Sequence, residues 1–221
     1  MTETEIHKIC KKNKISNYSI NNDMSIDVDG SVYFGNTIFS LKKLPINFNK
    51  VTGDFICHRE VLTSLDGSPN ELGGVFICNF NKLKSLKGCP KIVDDFQCVA
   101  NNIQSLEDGP EIVKDMFSIG RNPELNSLKG SPKKIKILNC SDCNIKTFQY
   151  FPEIDELNMY GNPLSELWHL FDNVNYIEYF NELDIIIDDG ETVILDRLNY
   201  FLQDLGIDKE ITSLKNYNTI N

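Results

Sequence analysis

Hydrophobic and polar positions follow one arrangement along this chain, and the arrangement returns about every 20 residues. In its clearest copy Phe76 and Cys78 are apolar, Asn81 is polar, and Leu83 and Leu86 are apolar again. Six copies keep this register, and they close at Leu65, Leu86, Leu106, Leu128, Phe148 and Leu167. The steps between these closing residues are 21, 20, 22, 20 and 19 positions. A fixed period of this length predicts a solenoid, in which each repeat stacks on the one before it.

Each repeat is expected to hold one short parallel strand and an extended return path. The alternation of Phe76 and Cys78 places both side chains on one face of a strand. A glycine and a proline then recur between copies, as Gly67/Pro69, Gly88/Pro90, Gly109/Pro110 and Gly130/Pro132. Proline fixes an extended backbone and glycine permits a bend, and a period of about 20 residues leaves little room for a full helix. The side opposite the strands is therefore predicted to be mostly extended.

The polar position after each strand is expected to form a hydrogen-bonded ladder. An asparagine at this position can satisfy backbone groups where the chain turns away from the strand, and repetition stacks one such side chain on the next. The ladder residues are Asn81, Asn101, Asn122, Cys143 and Asn162. A thiol can serve there as a weak donor. Glu60, at the same position in the first copy, fits the ladder poorly.

The pattern changes at both ends of the repeats, which fill residues 41–167. Residues 1–40 are expected to form an N-terminal cap with a short helix and a hairpin, in which Asp29-Gly30 turns between strands at 24–28 and 31–34. A degenerate repeat also fits this region, at Val32, Phe34, Thr37 and Phe39. Residues 168–221 show helical spacing, with an amphipathic helix that ends at Gly206. Between these helical stretches, 185–187 and 192–194 fit either a hairpin or a strand and loop.

The repeat resembles a known family position by position. Its strand and turn are similar to those of leucine-rich repeats at Phe76, Cys78, Asn81 and Leu83, and again at Leu138, Cys140, Cys143 and Ile145. This resemblance covers residues 41–167 and implies an α/β solenoid with short parallel strands on a concave face and a helical C-terminal cap. The motif Ser-Leu-x-Gly-x-Pro and the C-terminal segment from Val193 to Leu202 also resemble small leucine-rich repeat proteins of large tailed bacteriophages. That second similarity implies work inside an infected bacterial cell and carries no activity.

In the leucine-rich repeat family the concave sheet presents outward side chains, and the register identifies them here. The residues predicted to bind a partner are Ile56, His58, Val75, Ile77, Asn79, Gln97, Val99, Met116, Ile137, Asn139 and Tyr160. Apolar side chains with a polar surround are typical of a contact surface. The alternatives are that β-propensity alone places Val and Ile in strands, or that a terminal segment covers this face. We expect a protein partner, with a host protein or a second copy of the chain as candidates.

Charge is spread unevenly over the sequence. Residues 153–221 hold 15 acidic and 3 basic residues, a net charge of −12, whereas residues 1–152 have a net charge of +2. Such an acidic surface opposes nucleic-acid binding, and it either favours a basic partner or keeps the chain in solution. No apolar run is long enough for a bilayer and the start lacks the core of a signal peptide, so a cytoplasmic protein is expected. The seven cysteines fall mostly at repeat positions and are expected to be reduced, buried thiols.

Motifs that carry chemistry are weak in this sequence. Cys140 and Cys143 form a Cys-x-x-Cys pair, but the repeat explains both and no second pair completes a zinc site. Three histidines share no motif: His7, His58 and His169. Four acidic residues surround Gly190 without the spacing of a calcium loop: Asp184, Asp188, Asp189 and Glu191. The sequence therefore predicts no catalytic residue, metal site or cofactor.

These observations favour a non-enzymatic scaffold that binds a protein through the concave sheet. If the chain is phage-encoded, the leading hypothesis is a factor that engages a host protein in the host cytoplasm during infection. A structural or assembly role in the virion is one alternative. An inhibitor or nucleic-acid mimic that acts through the acidic C-terminal cap is another.

Overall fold

The structure is a computed structural model that describes residues 1–35, 41–187 and 190–221. Its helices are α1 (Glu3–Lys12), α2 (Ser165–Phe171), α3 (Ile177–Glu182) and α4 (Leu195–Asp204), with a 3₁₀ turn at Val174–Tyr176. Its strands are β1 (Tyr18–Ile20), β2 (Ile26–Val28), β3 (Val32–Phe34), β4 (Phe48–Val51), β5 (Phe55–Cys57), β6 (Glu71–Leu72), β7 (Phe76–Ile77), β8 (Ile92–Val93), β9 (Phe96–Gln97), β10 (Ile112–Val113), β11 (Met116–Ser118), β12 (Lys134–Asn139), β13 (Glu153–Asn158), β14 (Ile186–Ile187), β15 (Thr192–Ile194) and β16 (Asn218–Ile220). They build a parallel β-solenoid of about 6 turns, which confirms the predicted solenoid.

One strand from each turn joins a long parallel sheet of seven strands, in the order β13–β12–β11–β9–β7–β5–β3. Its register aligns equivalent repeat positions, so that Phe55 lies beside Phe76, Phe76 beside Phe96, and Phe96 beside Phe117. These four rings are fully buried, and neighbouring ring centroids lie 5.6, 5.5 and 5.5 Å apart. Stacked aromatic rings bury a large apolar area and hold each turn in register with the next.

The predicted ladder position joins successive turns through hydrogen bonds. Asn122 is fully buried; its Oδ1 accepts from Ile103 N at 2.9 Å, and its Nδ2 donates to the carbonyls of Cys98 at 3.0 Å and Ile119 at 2.7 Å. The same arrangement occurs at Asn81, Asn101 and Asn162. These amides therefore bond to backbone groups of their own turn and of the preceding one.

Two ladder positions lack asparagine, and each shows a different substitute. Cys143 donates its thiol to the carbonyl of Ile119 at 3.5 Å, but the amide of Leu125 bonds back to the carbonyl of Asn122 at 3.0 Å. The thiol therefore replaces a donor of the ladder and leaves the acceptor role unfilled. Glu60 is buried, and its Oε2 accepts from Leu41 N at 2.9 Å. A carboxylate thus takes the acceptor role of an asparagine at the first described rung.

The bend of each return path sits two residues after the closing apolar residue. These positions have a left-handed backbone and are Gly67, Gly88, Asp108, Gly130 and Tyr150. For the third pair, Gly109/Pro110, the predicted bend was wrong by one residue, because Asp108 takes the bend at φ +66° and Gly109 does not. A Cβ on Gly109 would lie 2.8 Å from the carbonyl oxygen of Leu106, so close backbone approach is what requires this glycine. Proline follows each bend by two residues, and the fifth repeat adds Pro152 to the set.

The return path is extended, as the Gly-Pro pattern predicted. Between residues 41 and 164, all of which the structure describes, there is no helix. Strands β4 and β6 of the return path join β1 and β2 of the N-terminal region in a four-stranded sheet, β1–β2–β4–β6, and β10 and β8 form a pair. The wall opposite the long sheet is thus a set of two-residue to four-residue strands separated by turns.

The N-terminal region differs from its prediction in one respect. Helix α1 begins with a capping box between Thr2 and Glu5. The hairpin was predicted around Asp29-Gly30, but β2 pairs antiparallel with β1 and parallel with β4, while β3 joins the long sheet beside β5. The Asp-Gly pair therefore connects two walls of the solenoid, because burying β2 and β3 against successive turns overrides the local turn preference. Thr37 and Phe39 of the degenerate repeat lie outside the described residues.

After the last repeat, short helices and a small sheet follow. β14 and β15 form the hairpin that was one of two predicted options, and β16 adds to β15 in parallel. Phe148, which closes the fifth repeat, contacts Trp168, Phe171 and Phe180 with centroid distances of 6.2, 5.6 and 5.1 Å. This aromatic cluster shields the end of the core. The longest helices have 10 residues, and none in the described part of the chain could reach across a bilayer.

Candidate protein-binding surface

The side chains of the long sheet that point away from the phenylalanine stack form what we call the outer face. Register aligns them in three columns that run across the strands. The middle column is Tyr33, Ile56, Ile77, Gln97, Ser118, Asn139 and Asn158. On one side of it are Asp54, Val75, Asp95, Met116, Ile137 and Glu156, and on the other are Gly35, His58, Asn79, Val99, Gly120, Ser141 and Tyr160. The eleven predicted contact residues all belong to this one face.

The apolar part of the outer face lies mainly at its N-terminal end. Tyr33, Ile56 and Ile77 are neighbours on three adjacent strands, with Val75 and Val99 in the columns beside them. Tyr33 is 50% exposed, whereas the isoleucines and valines are half-buried by their neighbours. The sequence placed Tyr33 in a hairpin and so missed it as a surface residue. The patch is less exposed than expected from strand alternation alone.

Polar residues of the outer face are tied to one another. Asn79 accepts from Val99 N at 2.7 Å and donates to Gln97 Oε1 at 3.3 Å. Asn139 donates to Ser118 Oγ at 3.1 Å and accepts from Ser141 N at 3.1 Å. Asn79, Gln97 and Asn139 were predicted to contact a partner. These bonds fix the orientation of their side chains. Each amide group can form further hydrogen bonds, and these are available to a ligand.

His58 is the second residue of its column, after Gly35, and Tyr160 is the last residue of the same column. His58 packs over Gly35, where an added Cβ would meet its ring at 3.0 Å. Tyr160 is 72% exposed, beside the last strand. Met116 and Ile137 form a second apolar pair in the opposite column, and the nearer of them is four strands along the sheet from Tyr33. The outer face therefore offers two separate apolar areas joined by amide side chains.

Two exposed apolar features lie away from the outer face and were not predicted. Ile92 and Ile112 are paired in register on β8 and β10, on the return path, and each is 50% exposed. Phe80 follows the strand β7 and is 44% exposed, at a left-handed backbone position with φ +59°. Sequence patterning could not identify Phe80, since the pattern gives no sign of the backbone angle at the residue before the ladder.

The thiols of this protein are placed for packing. All seven cysteines are free and buried. Burial raises the pKa of Cys89 to about 12 and that of Cys143 to about 11, and it raises the pKa of Cys57, Cys78 and Cys140 as well. Thiols with such pKa values hold almost no thiolate at neutral pH, and the thiolate is the reactive form.

Groups that could bind a metal are dispersed. Over the described ranges no three His, Cys, Asp or Glu side chains come together as a metal site. Asp188 and Asp189 of the weak calcium-loop pattern lie outside those ranges. What the described surface offers chemically is apolar contact area, oriented amides and charge. No protein-family model, no curated protein and no solved structure matches the chain.

Proposed function

We propose that this chain is a non-enzymatic scaffold of leucine-rich repeat type, closed by a helical C-terminal cap, that binds a protein through its outer face. The observation that carries the proposal is the run of Tyr33, Ile56 and Ile77 on three adjacent strands. Apolar neighbours on a surface favour binding of a partner because contact removes their apolar area from water. The gain in free energy is about 25 cal/mol per Å² of apolar surface buried. Valines at 75 and 99 widen this run on both sides.

Rigidity favours recognition by this face. Association orders side chains and loops, and that ordering weakens binding. Here the strands are fixed by ladder hydrogen bonds on one side, and Asn79 is fixed by its bonds to Val99 and Gln97 on the other. A partner therefore meets apolar anchors and amides that already stand in place.

The cellular setting follows from the resemblance to phage proteins. We place the chain in the cytoplasm of an infected bacterium, where it engages a host protein. Under this proposal it appears early in infection and is absent from purified particles. Recovery of the chain from purified virions in stoichiometric amount would replace this setting with a structural or assembly role.

The test compares two matched pairs of substitutions. Ile56→Arg/Ile77→Arg places two charges on the outer face, and Ile92→Arg/Ile112→Arg places two charges on the return path, again on neighbouring strands. Both variants should keep the far-UV circular dichroism of the wild type. Affinity purification from host lysate, followed by titration of the purified partner, should show loss of binding only for the outer-face pair.

Equal loss in both pairs, or loss only in the return-path pair, would contradict the proposal. A partner retained by both variants but released by salt would move the site to the acidic segment 153–221, because exposed charge pairs are screened at high ionic strength.

A further inference from the structure

The exposed ring of Phe80 is surrounded by basic side chains. We call Phe80, Arg59, Lys82 and Lys84 together the knob. Phe80 lies in a column of residues that each precede a ladder position, between Arg59 on one turn and Ala100 on the next. The guanidinium of Arg59 lies over its ring, with Cζ 5.8 Å from the centroid. Lys82 and Lys84 follow on the same turn and are exposed. Glu60 is the one acidic residue within 58–65 and 79–87, and it is buried.

The backbone conformation and the exposure of Phe80 are both unfavourable for the isolated chain. A bulky residue in the left-handed region costs about 1–2 kcal/mol. The equivalent positions of the other turns share this backbone and hold Arg59, Ala100, Arg121, Asp142 and Gly161. Phe80 also keeps 44% of its surface exposed, so part of its apolar area remains in water. Among the described residues no ion pair involves Arg59, Lys82 or Lys84. Phenylalanine and arginine are both enriched at protein interfaces, and here an exposed ring lies under an arginine guanidinium.

A complementary cleft lies at the other end of the molecule. It has a volume of about 690 Å³ and runs between the end of the last return path and the helix α3. Its apolar lining is Phe151, Pro152, Ile154, Val174 and Ile177. Three glutamates stand around that lining, Glu153, Glu178 and Glu182, and no cation belongs to it. Glu153 pairs with Lys134 at 2.5 Å; in the described part of the chain no ion pair involves Glu178 or Glu182.

We infer that the cleft of one copy receives the knob of a second copy, so that the chain associates head to tail. The two surfaces are complementary in polarity, an aromatic ring against an apolar cleft, and in charge, three cations against Glu178 and Glu182, with Glu153 already paired with Lys134. Knob and cleft lie on different turns of the solenoid, so one copy cannot close on itself. Because the two surfaces differ, each added copy leaves a free knob and a free cleft, and association continues beyond a dimer. This inference does not use the outer face and stands apart from the proposed function.

Sedimentation velocity on the purified chain tests the inference at two ionic strengths, about 50 mM and about 500 mM salt. The wild type should form dimers and larger species as its concentration rises at low salt, and these should dissociate at high salt. Phe80→Gly keeps every charge and suits the left-handed backbone, so it should fold and should weaken association at least about tenfold. A wild type that stays monomeric throughout at low salt would overturn the inference.

Charge-reversal variants distinguish association through a specific contact from an effect of the net charge of the chain. Lys82→Glu/Lys84→Glu makes the chain more acidic, whereas Glu178→Lys/Glu182→Lys makes it less acidic. General repulsion would weaken association in the first variant and strengthen it in the second. Knob-to-cleft contact predicts that each variant alone loses association at least about tenfold, and that a mixture of the two regains it. Stronger association of the second variant alone, or no recovery in the mixture, would overturn the inference.

Two further variants complete the set. Lys11→Glu/Lys12→Glu, at the end of α1, gives the same net charge as the knob reversal and should associate like the wild type. Ile56→Arg/Ile77→Arg on the outer face should also associate like the wild type. Loss of association in this outer-face variant would show that copies meet through the sheet, which would overturn the knob-to-cleft contact and leave the binding role of the sheet intact.

Discussion

Removal of one ladder amide should destabilise the whole solenoid measurably. Asn122→Ala deletes hydrogen bonds to Ile103 N, Cys98 O and Ile119 O, at 2.9, 3.0 and 2.7 Å, in a site with no solvent exposure. Each bond contributes about 1 kcal/mol net, and the three backbone groups would remain buried without that partner. We therefore expect the free energy of unfolding to fall by about 3 kcal/mol, equivalent to a decrease in Tm of about 6–12 °C.

Urea unfolding measures this change, followed by far-UV circular dichroism and by the fluorescence of Trp168, the one tryptophan. The matched control is Asn102→Ala, an exposed asparagine on the preceding turn, which should change stability by less than about 0.5 kcal/mol. Cys143→Asn should change stability by less than about 1 kcal/mol, because Leu125 N already donates to the carbonyl of Asn122 and an amide oxygen could only replace that bond. A loss below about 1 kcal/mol for Asn122→Ala, or an equal loss in the control, would refute the ladder reasoning.

Two glycine substitutions should distinguish the cost of a left-handed backbone from the cost of a steric clash, and a pH titration should test the buried thiols. Gly88→Ala should lower the free energy of unfolding by about 2 kcal/mol or more, since φ is +89° and the new Cβ would lie 3.0 Å from the backbone of Leu65. Gly206→Ala, at φ +72° with open space around it, should lose only about 1 kcal/mol, and equal losses in urea titrations would contradict this account. The raised thiol pKa values of Cys89 and Cys143, about 12 and about 11, predict alkaline sensitivity. The unfolded chain loses these protons near about pH 9 while the folded chain keeps them, so the contribution of these thiols to stability should be constant below about pH 8 and fall as pH rises towards about 11. Urea midpoints that stay flat from pH 8 to 10, roughly one unit either side of the unfolded pKa, would exclude this linkage.

Regular features of the fold could be predicted from the sequence because the same residue types recur at the same spacing. The period predicted the solenoid, and the alternation around Phe76 predicted which side chains turn inward. The polar position at Asn122 predicted the place of the ladder, although sequence alone could not give its three partners. These features depend on contacts between successive turns, which the repeat itself contains.

Other features depend on contacts that no local pattern carries. Asp29-Gly30 favours a hairpin in isolation, yet β2 pairs with β1 and β4, and β3 pairs with β5. The exposure of the outer face was overestimated, because side chains of neighbouring turns cover Ile56 and Ile77 on both sides. The acidic cleft escaped prediction because it joins residues 151–154 to residues 174–182. The exposure of Phe80 follows from a backbone angle that residue types do not reveal.

The most direct test of the central claim is amide hydrogen exchange on the complex with its protein partner. Binding through the outer face predicts added protection in segments 54–58, 75–79 and 95–99, which carry the three columns at the apolar end. The return path at 71–72, 92–93 and 112–113 serves as the internal reference and should exchange as in the free chain. Protection confined to the return path or to residues 153–221 would contradict the account and assign binding to another surface.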